Sequence, residues 1–186
     1  MTNIPRPALL GVAALVIFAV GLALGWMGGA AHPALPDVPT VADYDGWRLA
    51  CPAASRKDIP CAITNDLTDS KSGRRVAQLA MVPAKSGAIL VVTAPFDVLL
   101  PSGIGLVLGN AKPRAYPYLT CNNAGCVAQI QLDDGQLAQM RQGQQGKLLV
   151  ASLNRKTVEI LFSLGGFVRA DKALQDRQSG HSFLGL

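Results

Sequence analysis

Residues 75–93, RVAQLAMVPAKSGAILVVT, indicate the fold class, because two short apolar runs lie on either side of a turn. The runs are 75–82 and 88–93, and the connecting residues 83–87 begin with proline and end with glycine. Short runs of this kind, bounded by Gly and Pro, are typical of β-strands. The stretch therefore predicts a pair of strands.

The same pattern recurs on both sides of this stretch. Six more runs read as strands, at 47–51, 104–108, 116–121, 126–132, 147–153 and 157–164. About eight short strands separated by turns predict an all-β domain, either a sandwich or a barrel. One short helix is expected over 134–141, where Asp133 or Asp134 can cap the first turn and Gly143 can end the last. Residues 167–178, beyond the last strand, are moderately helical.

The N-terminal segment has the length of a membrane span. Residues 8–27, ALLGVAALVIFAVGLALGWM, carry no charge. A helix of twenty such residues is about 30 Å long, the thickness of the hydrocarbon core of a bilayer. Arg6 and the amino terminus precede it, and the next charge is Asp37. The positive-inside rule then predicts a single-pass membrane protein with a cytoplasmic N-terminus and its C-terminal domain on the opposite side of the membrane. Trp26 would be an interfacial anchor.

A cleaved signal peptide is the alternative interpretation of this segment. Gly28 and Ala30 are small enough to precede a cleavage site. Cleaved signals usually have apolar cores of about 7–15 residues, which favours a retained anchor here. Both interpretations export the remaining chain. In a retained helix, Gly21, Gly25 and Gly29 would share one face and allow another membrane helix to approach closely.

Composition divides the chain into four parts. Residues 1–27 are the expected anchor, and 28–43 form a spacer that contains three prolines. Residues 44–170 form the expected β domain, and 171–186 a C-terminal tail. The β domain has fourteen Lys and Arg residues against eight Asp and Glu. This excess could favour anionic lipid headgroups or an acidic partner. Nucleic acid is not an expected partner, because the compartment is exported and basic residues do not alternate with aromatic ones.

The four cysteines form two local pairs, which agrees with export. Cys51 and Cys61 are ten residues apart, and Cys121 and Cys126 are five apart. An even number of cysteines at short spacing in an exported chain predicts disulfides. Four cysteines allow three connectivities, of which local pairing is the simplest. Zinc sites and thioredoxin-like redox sites use a C-x2-C spacing, which neither pair has.

Residues suited to catalysis are scarce. The region 44–170 has no histidine, which excludes a histidine-activated serine or cysteine nucleophile within it. His32 lies in the spacer and His181 in the tail. No complete G-x-x-x-x-G-K-[ST] or G-x-G-x-x-G phosphate loop occurs.

The carboxylates have simpler structural interpretations. Asp133 and Asp134 suit a helix cap, Asp66 and Asp69 suit a solvated loop, and Glu159 falls in a predicted strand. We therefore predict no catalytic, cofactor-binding or metal-binding residues. The sequence does not indicate whether a small molecule binds.

The order of several motifs resembles the invasion-associated locus B family of exported bacterial proteins. The motifs are W-x-x-x-C, a second cysteine before N-D-L, a P-x-G-x-G-L turn, the hairpin CNNAGC, the helix DDGQLAQMRQG and the ending SLGGF. The residues that carry the resemblance are Trp47, Cys51, Cys61, Pro101, Gly103, Gly105, Leu106, Cys121, Gly125, Cys126, Leu137, Gly143, Gly165 and Phe167. The resemblance covers about 44–170 and implies a periplasmic or envelope β-rich domain with two local disulfides. The expected anchor would then lie in the bacterial inner membrane. It supplies no catalytic residues, and the long N-terminal helix departs from an ordinary cleavable signal.

Three functions are compatible with these features. The first is a non-catalytic, membrane-tethered accessory subunit whose periplasmic domain docks on a larger membrane protein complex, while residues 8–27 contact the bilayer. The second is an independent envelope or secreted factor with a role in host interaction, invasion or envelope stress. The third, an enzyme, is the least supported because catalytic residues are lacking.

Overall fold

The computed structural model describes residues 39–182 except Ala54 and Lys57, with side chains up to Ser179. These residues contain eleven strands, two α-helices and a short 3-10 helix at Leu100–Ser102. The strands, in chain order, are β1 (Thr40–Tyr44), β2 (Trp47–Cys51), β3 (Ala62–Thr68), β4 (Arg75–Pro83), β5 (Ala88–Ala94), β6 (Ile104–Leu108), β7 (Arg114–Tyr116), β8 (Tyr118–Asn122), β9 (Gly125–Leu132), β10 (Gln145–Ala151) and β11 (Thr157–Ser163). The helices are α1 (Asp134–Gln142) and α2 (Phe167–Ser182).

The strands form two antiparallel sheets. The larger has seven strands in the order β1-β2-β3-β4-β5-β9-β8, and the smaller has four in the order β11-β10-β6-β7. Strands β4 and β5, which come from the stretch 75–93, pair as a hairpin from Gln78↔Thr93 to Pro83↔Ala88. Apolar side chains from both sheets form one buried cluster, so the domain is sandwich-like. The prediction of an all-β, sandwich-like domain is confirmed.

The alternation of buried and less buried side chains along the strands shows which faces form the core. In β4 the side chains of Ala77, Leu79 and Met81 are buried, and their neighbours in sequence are half-buried. Strand β10 buries Leu148 and Val150 in the same alternating way. Because successive side chains point to opposite faces of a strand, this period of two fixes which face of each sheet turns inward.

Helix α1 begins as the sequence predicts. The Asp133 carboxylate accepts a hydrogen bond from the backbone N–H of Gln136 at 2.7 Å, and the Gln136 side chain accepts one from the backbone N–H of Asp133 at 3.3 Å. This reciprocal pair is a capping box, and Gly143 ends the helix. Asp133, rather than Asp134, is therefore the cap.

Helix α2 belongs to the folded domain. Its residues Phe167, Ala170 and Leu174 are buried in the core cluster. Asp171 is also buried, and it accepts a hydrogen bond from Arg141 of α1 at 2.8 Å. The domain thus contains a second, longer helix in addition to the single short helix that was expected. The folded region also continues past residue 170.

Three further differences from the sequence expectations concern strands. Strand β1 occupies residues that were expected to end the spacer, so the fold begins before Tyr44. Strand β3 was not predicted, and it contains Asp66, which we had expected in a loop. The run 116–121 is divided between β7 and β8, because Pro117 lies between them and cannot donate a ladder hydrogen bond.

The predicted membrane helix 8–27, with Gly21, Gly25, Trp26 and Gly29, lies outside the described residues, as does His32. Within residues 39–182, the structure contains no helix with the length and apolar character needed to cross a bilayer.

Candidate functional site

Trp47 connects the larger sheet to the end of the smaller one. Its side chain is fully buried, and its indole N–H donates to the backbone carbonyl of Ser163 at 2.9 Å. The ring of Phe167 packs edge-on against it, with ring centroids 5.0 Å apart. A buried indole needs a hydrogen-bond acceptor, and the end of β11 supplies one. Two of the residues that carry the family resemblance therefore meet in the core.

Both predicted disulfides are present. Cys51 is bonded to Cys61 and Cys121 to Cys126, and no cysteine is free. The first closes the loop between β2 and β3, with both residues buried or nearly so. The second joins residues that are directly paired across the β8–β9 hairpin, which places a covalent link beside the turn. On the loop-entropy model each ring stabilises the fold by about 2–3 kcal/mol.

The carboxylates singled out in the sequence are dispersed, and each interacts with a neighbouring residue of the fold. Asp66 accepts a hydrogen bond from Gln78 on the neighbouring strand at 2.8 Å. Asp69 accepts hydrogen bonds from the backbone N–H and hydroxyl of Ser72, at 2.7 and 2.8 Å, and these lower the pKa of its carboxyl. Glu159 pairs with Lys147 across β10 and β11 at 3.1 Å. Within the described part of the chain, no three His, Cys, Asp or Glu side chains are placed to share a metal ion.

A shallow cavity of about 240 Å³ lies between α1 and the turn that joins β6 to β7. Leu106 and Leu108 contribute apolar lining, whereas Lys112, Arg114 and Asp133 bring charge to it. Arg114 and Asp133 lie 3.7 Å apart, and both are mostly exposed. The Asp133 carboxylate at this cavity already caps α1 and lies beside Arg114.

A second surface feature is an exposed tip built by two connecting segments, residues 95–100 and 152–156, which we call the apolar tip. Val98 pairs with Ser152 as an isolated bridge, and the backbone N–H of Leu99 donates to the carbonyl of Ala151 at 2.8 Å. Phe96 and Leu153 in these segments are 62% and 66% exposed.

This tip was not predicted from the sequence. The signal that could have found it is a large apolar side chain inside a turn-like segment, in PFD for Phe96 and in SLNRK for Leu153. Turns are normally polar, so apolar residues in two turns that the fold joins indicate a contact surface.

Comparison with known proteins identifies the family. A family model described as invasion-associated locus B protein matches residues 47–175. The chain belongs to this family. The matched region begins at Trp47 and extends into α2, so the family domain includes most of the helix that the sequence prediction had divided between domain and tail.

Relatives in the invasion-associated locus B family agree with this assignment. Invasion protein B homologs from Brucella abortus strain 2308 and from Brucella abortus biovar 1 strain 9-941 are each 25% identical over 135 residues, which are 71% of this chain and 77% of theirs. The crystal structure of invasion associated protein B from Bartonella henselae matches with a TM-score of 0.66 and 23% identity, over 75% of this chain and 99% of that one. The structural likeness establishes the shared fold.

Proposed function

We propose that this family member is a non-catalytic accessory subunit held in the bacterial inner membrane by residues 8–27. Its β domain lies in the periplasm and docks on a larger membrane protein assembly. Gly21, Gly25 and Gly29 contribute a helix face for that assembly, because their missing side chains allow close backbone approach.

The observation that carries the proposal is the pairing of all four cysteines. Two disulfides within one small domain favour an oxidising compartment, since cytosolic thiols are kept reduced. Export then requires a signal, and residues 8–27 have the uncharged length for one.

The non-catalytic part of the proposal rests on how the acidic groups are used. Asp66, Asp69, Asp133 and Glu159 each have a structural partner, in a strand pair, a turn, a helix cap and an ion pair respectively. These partners give each carboxylate a structural role, so an acid–base role is not needed to account for it. The family, moreover, is named for invasion and not for a reaction.

An independent envelope or secreted factor is the second candidate. The names of the Brucella relatives, which are invasion protein B homologs, favour it. This candidate needs no membrane partner, so the two proposals differ in whether the chain copurifies with other membrane proteins.

Purification in a mild detergent tests the docking proposal. We expect the full chain to elute with other membrane subunits, and we expect Gly25→Leu to reduce that association at least several-fold, because leucine places bulk between the helices. Ala23→Leu is the matched control: it adds similar bulk on a different face of the predicted helix and should leave the association intact. Leucine is favourable in hydrocarbon, so both variants should still reach the membrane.

Equal association of the two variants would reject the glycine face. Elution of the unaltered chain alone, from membranes that retain it, would favour the independent factor.

A further inference from the structure

We propose that the apolar tip, residues 95–100 and 152–156, inserts into the headgroup region of an anionic lipid bilayer. Phe96 and Leu153 enter the boundary between headgroups and acyl chains, while Arg155 and Lys156 contact lipid phosphates. This second membrane contact depends on the proposed function only for bringing the domain close to a bilayer.

The first reason is that the backbone fixes the two segments together. The Val98–Ser152 bridge and the Leu99-to-Ala151 hydrogen bond join them, and the Ser152 hydroxyl donates to the carbonyl of Lys156 at 2.8 Å within the β10–β11 turn. The segments that carry Phe96 and Leu153 are therefore held together by backbone contacts, so ordering these segments on binding costs little.

The second reason is the concentration of apolar exposure there. Phe96 and Leu153, with Leu100 at 49%, belong to these two joined segments, and the exposed Val158 follows shortly after in β11. The other large apolar side chains that are exposed in the described residues are distributed over separate elements: Val41, Ile59, Leu119, Leu161 and Val168. Single exposed apolar residues are ordinary, whereas several in joined segments mark an interaction surface.

The third reason is the charge beside the apolar groups. Arg155 and Lys156 are exposed, and within the part of the chain that the structure describes no carboxylate forms an ion pair with either. Asp97 is the acidic residue of the tip. Apolar side chains flanked by long basic ones suit an anionic lipid interface, because the basic stems follow the apolar surface while their heads stay at the phosphates.

The depth of a spin label in nanodiscs tests this contact with the full chain. Leu153→Cys carries the label, and peptide mapping first confirms that both native disulfides are intact. In nanodiscs containing phosphatidylglycerol we expect the label to collide with oxygen and to be shielded from a water-soluble nickel complex. In phosphatidylcholine alone the shielding should fall.

Each of Arg155→Gln and Lys156→Gln should lower the inserted-to-free ratio about fivefold, and added salt should act in the same direction.

Two further variants make the test specific. A label at Ser86→Cys, in the turn at the other end of β5, should stay accessible to nickel in every lipid. Asp97→Asn should increase shielding at 153, because it removes a charge that anionic lipid repels. Equal nickel access at 153 and 86 in anionic nanodiscs would overturn the inference, and would leave the tip as a contact for protein.

Retention of the chain in the nanodisc tests the N-terminal anchor separately. A retained chain with a water-exposed 153 label rejects only the tip contact. A chain that is not retained, but that binds added phosphatidylglycerol vesicles with a shielded 153 label, rejects the anchor and supports the tip.

Discussion

Single residues set the junction between the larger sheet and α2. The backbone of Gly166 lies against the carbonyl oxygen of Tyr44, and a Cβ at position 166 would overlap that atom. The next residue, Phe167, packs on Trp47, and Arg169 forms an exposed ion pair with Asp45. The β1–β2 turn and the start of α2 are therefore in direct contact. For this reason a residue without a side chain is needed at position 166.

Replacing Gly166 by alanine should destabilise the domain by about 1–3 kcal/mol, because the backbone must move to relieve the overlap. Gly165→Ala is the matched control, since a Cβ there would meet only the Ser163 hydroxyl at 3.4 Å, which is ordinary contact. We expect the control to change stability by less than about 0.5 kcal/mol. Urea denaturation of the oxidised protein measures both, and equal stabilities would contradict the packing described at this junction.

At the scale of elements, strands with clean apolar alternation were predictable and the others were not. Strand β3 was missed because Asn65 occupies a buried, inward position between Ile63 and Leu67, which breaks the apolar pattern. Strand β1 was missed although Asp45-Gly46 is a strong hairpin signal. Both residues have positive φ, 47° and 89°, as a two-residue turn of type I′ requires. Helix α1 was predicted because its cap and its terminal glycine are local signals.

The cap of α1 gives a prediction at this scale. Asp133→Ala should destabilise the domain by about 1 kcal/mol, since it removes the acceptor for the Gln136 N–H. Asp134→Ala, one residue later, removes a similar charge from the first turn but no capping bond, so it should cost clearly less. Thermal unfolding of the two variants compares them directly. A larger loss for Asp134→Ala would show that charge near the helix end matters more than the capping box.

For the whole molecule, the sequence was most informative about the disulfides and least about contact surfaces. Cysteine spacing predicted both disulfides because short rings leave few alternatives. The apolar tip depends on the bridge between Val98 and Ser152, two residues far apart in the chain. Such a pairing arises from the packing of the sheets and leaves no local pattern in the sequence. The proposed function combines an exported domain with a surface that can contact a membrane or its proteins.

The intact mass of the unreduced chain from isolated membranes tests the central claim most directly, because one spectrum reports both the retained anchor and the oxidised cysteines. We predict the 19.5 kDa chain with residues 8–27 present, four hydrogen atoms lighter than its reduced form because of the two disulfides. A mass corresponding to a chain that begins at Ala31, or cysteines that take up an alkylating reagent without prior reduction, would contradict the account.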